Sequence, residues 1–249
     1  MEACIAVADL MKSVSLLSFY KVEGKHWHLE EIARHYASMW GSRVSSVGNN
    51  EWLAADMEGN LVILHSNVDG VTEDDRKRLE VTSELRLGEV ISTIKPIRTL
   101  LPAEMMKEKA ANDVEKTTIL QGSTAESKSH STQSIIGPIV LPKVFLSTVE
   151  GGVYLVGTVI PSHQDFLMRL QQAIASRAKG LGHMPWNKYR ALKTEVQEAE
   201  EPFRFVDGEL IEGFLGLEAQ EMQEVVGEVG MGYDVEKVRA VVEELRLMH

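Results

Sequence analysis

The chain has 249 residues, 44% of them hydrophobic and 25% charged, with 26 Lys and Arg against 37 Asp and Glu for a formal net charge of −11. That composition belongs to a globular protein able to bury one large core or two small ones. Its acidity argues against a broad electrostatic hold on nucleic acid, which needs excess cations to displace counterions from phosphate. The single cysteine, Cys4, excludes an intramolecular disulfide framework and a cysteine-rich zinc site, and no apolar run is long enough to span a bilayer. Glu2 stands where a secretory signal would carry basic residues, so a cytosolic or nuclear address is expected.

Up to about residue 160 the chain reads as strands. Residues 4–8 and 12–20 are apolar runs separated by a polar break at Asp9, as in a hairpin, and Cys4 is expected to be buried in the first of them. Residues 51–56 and 61–65 flank Met57-Glu58-Gly59-Asn60, where Gly59 and Asn60 can supply the positive φ of a tight turn. Residues 144–149 and 153–160 flank Glu150-Gly151-Gly152, the clearest hairpin signal. The turn spacing suits four-stranded units of about 40–50 residues with one insertion. That insertion spans 101–134, a stretch rich in Ser and Thr with too little apolar material to pack, and is expected to be a disordered loop. TEDDRKRLE, residues 72–80, reads as a solvated connector with about three turns of helix.

After Pro161 the apolar period changes from two to 3.6. Ser162 and Asp165 can form a capping box, Phe166, Leu170, Ala173 and Ile174 share a face, and Arg177, Lys179 and Gly180 suit a helix end. Residues 184–202 are less regular, with Trp186 and Tyr189 as anchors. Asp207 can cap a helix carrying Leu210, Ile211, Phe214 and Leu215 inward. Met222, Val225, Val226 and Val229 align in the next. Asp234 caps a third, with a stripe of Val235, Val238, Val242, Leu245 and Met248. The charge divides sharply here. Residues 195–249 hold fifteen acids and four bases, the whole of the net imbalance. Residues 166–194 hold Arg169, Arg177, Lys179, Lys188, Arg190 and Lys193 and no acid.

Chemistry-bearing motifs are sparse. His26 and His28 form an H-x-H pair without a third ligand at strand or helix spacing, and there is no phosphate-binding loop, nucleophile elbow or zinc-protease motif. No cofactor, metal site or enzymatic activity is expected.

The strings ADLMKSVSLL, EEIARHY, TEDDRKRLE, LRLGE, FLSTVEGGVYL, FVDGELIEGFL and VVEELRLMH occur in this order along nearly the whole chain outside the insertion. They resemble the C-terminal part of the large subunit of the UV-damaged-DNA-binding complex, particularly its fungal forms. The large subunits of the cleavage-polyadenylation factor and of the splicing factor 3b complex share the layout, but FVDGELIEGFL and the terminal His249 favour the first. The resemblance implies a mainly β fold with α: about three four-stranded blades of a partial β-propeller over residues 1–161, then a helical domain over 162–249. It also implies a piece of a longer protein with unpaired edge strands and exposed apolar blade faces. The implied function is that of a nuclear, non-enzymatic adaptor of a cullin-RING ubiquitin ligase in DNA repair and chromatin regulation, with substrate-receptor proteins as partners. Its receptor-holding surface maps onto Leu10, Trp40, Val90 and Val149, where Val90 is smaller than the aromatic relatives tend to carry. The residues alone leave two readings of these four: blade core, or an exposed hot spot built around Trp40. Direct nucleic-acid contact through the six cations of 166–194 is the competing function, and a splicing or polyadenylation subunit is a further one.

Overall fold

The computed structural model describes residues 3–22, 26–48, 50–97, 138–178 and 184–248. The expected insertion near 101–134, together with Lys179 and Gly180, lies outside these residues. Among them, ten strands form three antiparallel sheets. The first sheet is β1 (Ala3–Asp9), β2 (Ser13–Val22) and β3 (His26–Arg34). The second is β4 (Gly41–Gly48), β5 (Glu51–Asp56), β6 (Asn60–Ser66) and β7 (Leu79–Arg86), and the third β8 (Ile91–Pro96), β9 (Val140–Thr148) and β10 (Val153–Val159). Among the described residues only the middle sheet has the four strands expected of each.

Successive side chains of a strand point to opposite faces, so a sheet buried on both sides must be apolar throughout. In the middle sheet the centres of β5 (residues 53–55) and β6 (residues 61–64) meet that condition, whereas the outer strands β4 and β7 carry Ser, Arg and Glu. Ala54, Val62 and Leu64 pack with Val14, Leu16 and Ala33 of the first sheet, while Leu53, Ala55 and Leu61 pack with Ile91, Val144 and Leu146 of the third. The flanking sheets each bury one face. On the other face of the first sheet, Ile5, Val7, Trp27 and Leu29 are exposed, and Trp27 stacks on Phe19 with ring centroids 4.6 Å apart. Cys4 is exposed as well, contrary to expectation, although its register opposite Ser18 places it on the face that carries Val14 and Leu16. Phe145 and Val153 are exposed on the third sheet.

The turns follow the sequence with two corrections. In the β5–β6 turn, Gly59 alone takes a positive φ, of 82°, because Asn60 already belongs to β6 and is buried with its amides bonded to Asp56. The helix α1 covers only Glu73–Lys77, capped by Thr72 and Asp75 in a reciprocal box, since Leu79 and Glu80 are drawn into β7 by pairing with β6.

Helix α2 spans Pro161–Ala175 and buries Phe166, Leu170, Ala173 and Ile174 as its period predicts. It has no Ser162 capping box. Ile160 is the N-cap and Pro161 the first helical residue, where its fixed φ and missing amide donor suit the helix start. Arg177 therefore lies past the helix end. There follow α3 (Trp186–Arg190), α4 (Gly208–Glu212) continued by a 3₁₀ turn (Gly213–Gly216), α5 (Ala219–Val229) and α6 (Val235–Arg246). Asp207 and Asp234 cap α4 and α6 as expected. The α2 stripe closes over Ile211, Phe214, Val225 and Val238, and Ile139 before β9 joins this core.

Between α3 and α4 the chain returns to the sheets. Lys193 donates its amide to Asn60 Oδ1 at 3.1 Å, Asn60 Nδ2 donates to Lys193 O at 2.8 Å, and Phe203 pairs with Glu84 on the outer edge of β7. Covering an edge in this way removes a template for pairing with other chains.

His35, which follows β3, is buried with Nδ1 2.7 Å from Ser13 Oγ. Burial, with Arg78 nearby, lowers its pKa below the ordinary imidazole value. The unfolded chain thus binds a proton that the folded chain resists, so the stability His35 confers is present above pH 6.5 and lost as pH falls through the lowered pKa. Urea midpoints of wild type and His35→Gln between neutral pH and about pH 5 are expected to show a shallower pH dependence for the variant. Parallel curves would remove His35 from the acid sensitivity.

Candidate protein-binding rim

Antiparallel strands bring alternate connections to the same end, and here β1, β3, β5, β7 and β9 all finish at one rim. Neighbouring connections touch. A Cβ on Gly41 would lie 3.2 Å from Asp9 O, so the β3–β4 connection runs over the β1–β2 turn. Met57 N donates to Trp40 O at 3.0 Å, linking that connection to the β5–β6 turn. Leu87 and Gly88 donate to Gly59 O, and Val149 N donates to Val90 O at 2.9 Å.

The four residues singled out by the resemblance fall along this continuous line. Leu10 is 59% exposed at the β1–β2 turn, Trp40 is 43% exposed before β4, and Val149 is 69% exposed after β9. Val90 is half-buried between β7 and β8. None of them is fully buried core. Met11 and Met57 are also exposed on this rim and were missed in the sequence, where their positions read only as turns. The available signal was an apolar residue at a turn tip that needs only polar ones. Large apolar side chains held on short backbone-tethered connections can desolvate a partner's surface with little loss of entropy.

Of the six cations of residues 166–194, the five that lie among the described residues do not form one patch. Arg190 is buried, its guanidinium donating to Asp207 Oδ2 at 2.7 Å, Glu209 Oε2 at 2.9 Å and Leu87 O at 3.2 Å. Burial works against this charge, yet Asp207, with Tyr189 and Glu209 behind it, raises its pKa. Trp186 Nε1 donates to the same Asp207 oxygen at 2.9 Å, confirming Trp186 as an anchor. Arg177 forks onto Glu228 at 2.8 and 2.6 Å, and Lys193 lies 3.5 Å from Glu198. Arg169 and Lys188 are exposed, and Lys179 is outside the described residues. The acidic tail thus neutralises part of the basic segment, which residue spacing alone could not show.

The histidines His26 and His28 are exposed on β3, and His28 stacks on Tyr20. Among the described residues no three His, Cys, Asp or Glu side chains come together as metal ligands, and no helix is long and apolar enough to cross a membrane.

The described residues thus form a mainly β fold with an apolar rim, followed by a helical core. The family model described as the CPSF A subunit region matches residues 1–216, and the chain belongs to that family. It is 31% identical over 245 residues to DNA damage-binding protein 1a of Arabidopsis thaliana and 29% identical over 247 residues to DNA damage-binding protein 1 of Oryza sativa subsp. japonica, in each case 98% of this chain and 19% of the relative. DNA damage-binding protein 1 of Schizosaccharomyces pombe is 27% identical over 252 residues. The resemblance read from the literal strings is therefore borne out. The chain spans about a fifth of the length of these relatives.

Proposed function

We propose that the chain is a non-enzymatic scaffold whose rim seats a helical segment of a substrate-receptor protein, as part of a cullin-RING ubiquitin ligase adaptor acting in DNA damage recognition in the nucleus. On this reading the three sheets are consecutive blades of a propeller over residues 1–161, and the helices of 162–249 form a domain set against it. Further blades would cover the exposed apolar faces around Trp27 and Phe145. The observation that carries the reading is the convergence of Leu10, Trp40, Val90 and Val149 on one rim, with Trp40 exposed beside Met57. Similarity to DNA damage-binding proteins supports the connection to DNA damage.

In a full-length context, Trp40→Ala is expected to weaken receptor binding by ~2 kcal/mol or more, about thirtyfold in Kd. Titration of purified receptor against both forms measures it, and equal affinities would remove the rim from receptor binding. Direct nucleic-acid contact is the weaker reading, because Arg177, Arg190 and Lys193 already serve internal carboxylates.

A further inference from the structure

We propose that Arg190 is a positioning residue for the rim: by holding the Leu87 carbonyl from the helical side, it fixes the β7–β8 link that carries Val90 and, through it, Val149. This rests on the reading above for the use of the rim and adds how the helical part controls its order.

The link is four residues long, 87–90, and lies outside regular secondary structure. Such a segment keeps one conformation only if its backbone is tethered. Three tethers come from the sheets. Leu87 N and Gly88 N donate to Gly59 O at 2.8 and 3.1 Å, the Tyr154 hydroxyl donates to Glu89 Oε1 at 2.9 Å, and Val90 O accepts from Val149 N. Burial and the Glu89 carboxylate push the Tyr154 phenol up to about 12, so it remains a donor throughout the neutral range.

The fourth tether is the Arg190 Nη1 bond to Leu87 O, and it has a different origin. Arg190 is itself immobilised by Asp207, whose carboxylate also takes the Trp186 indole and the first amides of α4. The Asp207 amide donates to Gln171 Oε1 on α2 at 2.6 Å. A continuous line of buried polar contacts thus runs from α2 through Asp207 and Arg190 to the rim. Guanidinium suits this place because its planar fork can serve Asp207, Glu209 and Leu87 together; an ammonium on a flexible stem has no such fixed set of directions. Loosening the helical side therefore loosens the surface around Val90 and Val149, although neither of those residues belongs to it.

Amide hydrogen exchange on the whole chain tests this, with Arg190→Lys retaining the charge beside Asp207. The expected result is exchange faster by roughly tenfold at Leu87, Gly88 and Val149, with the β5 and β6 amides unchanged. Glu209→Gln removes only the charge of the exposed partner and should leave the rim at the wild-type rate. Faster exchange confined to residues 184–212 would overturn the proposal, as would an equal acceleration of β5 and β6, the signature of general destabilisation. If Arg190→Lys does not fold, Trp186→Phe decides. It takes one donor from Asp207 while keeping a ring in place, and should speed the same rim amides by roughly twofold; unchanged rim amides would then count against the coupling. Because exchange needs no partner, failed receptor binding and failed coupling are separate results.

Discussion

Phe166→Ala is expected to lower the unfolding free energy by about 3–5 kcal/mol, the range for deleting a fully buried aromatic ring. Phe166 has no exposed surface and lies in the core that joins α2 to α4, α5 and α6. Its ring centroid is 4.4 Å from that of Tyr233, so the substitution removes an aromatic contact as well as apolar burial. Ile139, just before β9, belongs to the same core, which means the cavity would also weaken the seat of the helices on the third sheet. Urea denaturation followed by circular dichroism measures the change. Met168, two residues on and 41% exposed, provides the control: alanine there should stay within about 0.5 kcal/mol of wild type. Similar losses at the two positions would mean that α2 is not packed on the face described.

Asp207→Ala is expected to be comparably severe, at about 3–5 kcal/mol, for a different reason. Removing one member of a buried ion pair strands the other charge, and Glu209, the remaining carboxylate on Arg190, is exposed and partly screened by water. The same change deprives Trp186 of its acceptor and α4 of its N-cap. Asp207→Asn separates these effects, since an amide oxygen can still cap the helix and accept one bond but does not neutralise Arg190. Thermal melts should place Asp207→Asn between wild type and Asp207→Ala. A variant with alanine as stable as wild type would show that the Arg190 charge is solvated rather than held.

Elements with a strong local code were legible in the sequence. The β5–β6 and β9–β10 hairpins, the α2 face, and the Asp207 and Asp234 caps depend on residues a few positions apart, and each occurs where the spacing places it. The errors occur where distant pairing overrides a local preference. TEDDRKRLE has helical charge spacing, yet its last residues gain more from the β6 ladder, and α1 shrinks to five residues. The Ser162 cap fails for a local reason instead: Pro161 begins α2, two residues before a helix capped by Ser162 would start.

The candidate site divides along the same line. Its four rim residues came from literal similarity to a family, while composition and period alone favoured blade core for them. Arg190 looked like one of six surface cations because its partners, Leu87 and Asp207, are 103 and 17 residues away.

By itself, the sequence determined where strands give way to helices, which faces of those helices are apolar, the acidic and basic halves of the C-terminal region, and the family. Only the tertiary structure decided that five separate connections share one rim, that Cys4 is exposed, and that Arg190 is an internal tether. Hydrophobic period and capping act between neighbours in the chain and are written locally. Burial, charge pairing and the meeting of loops depend on which surfaces fold against each other, and no short stretch of residues contains that information.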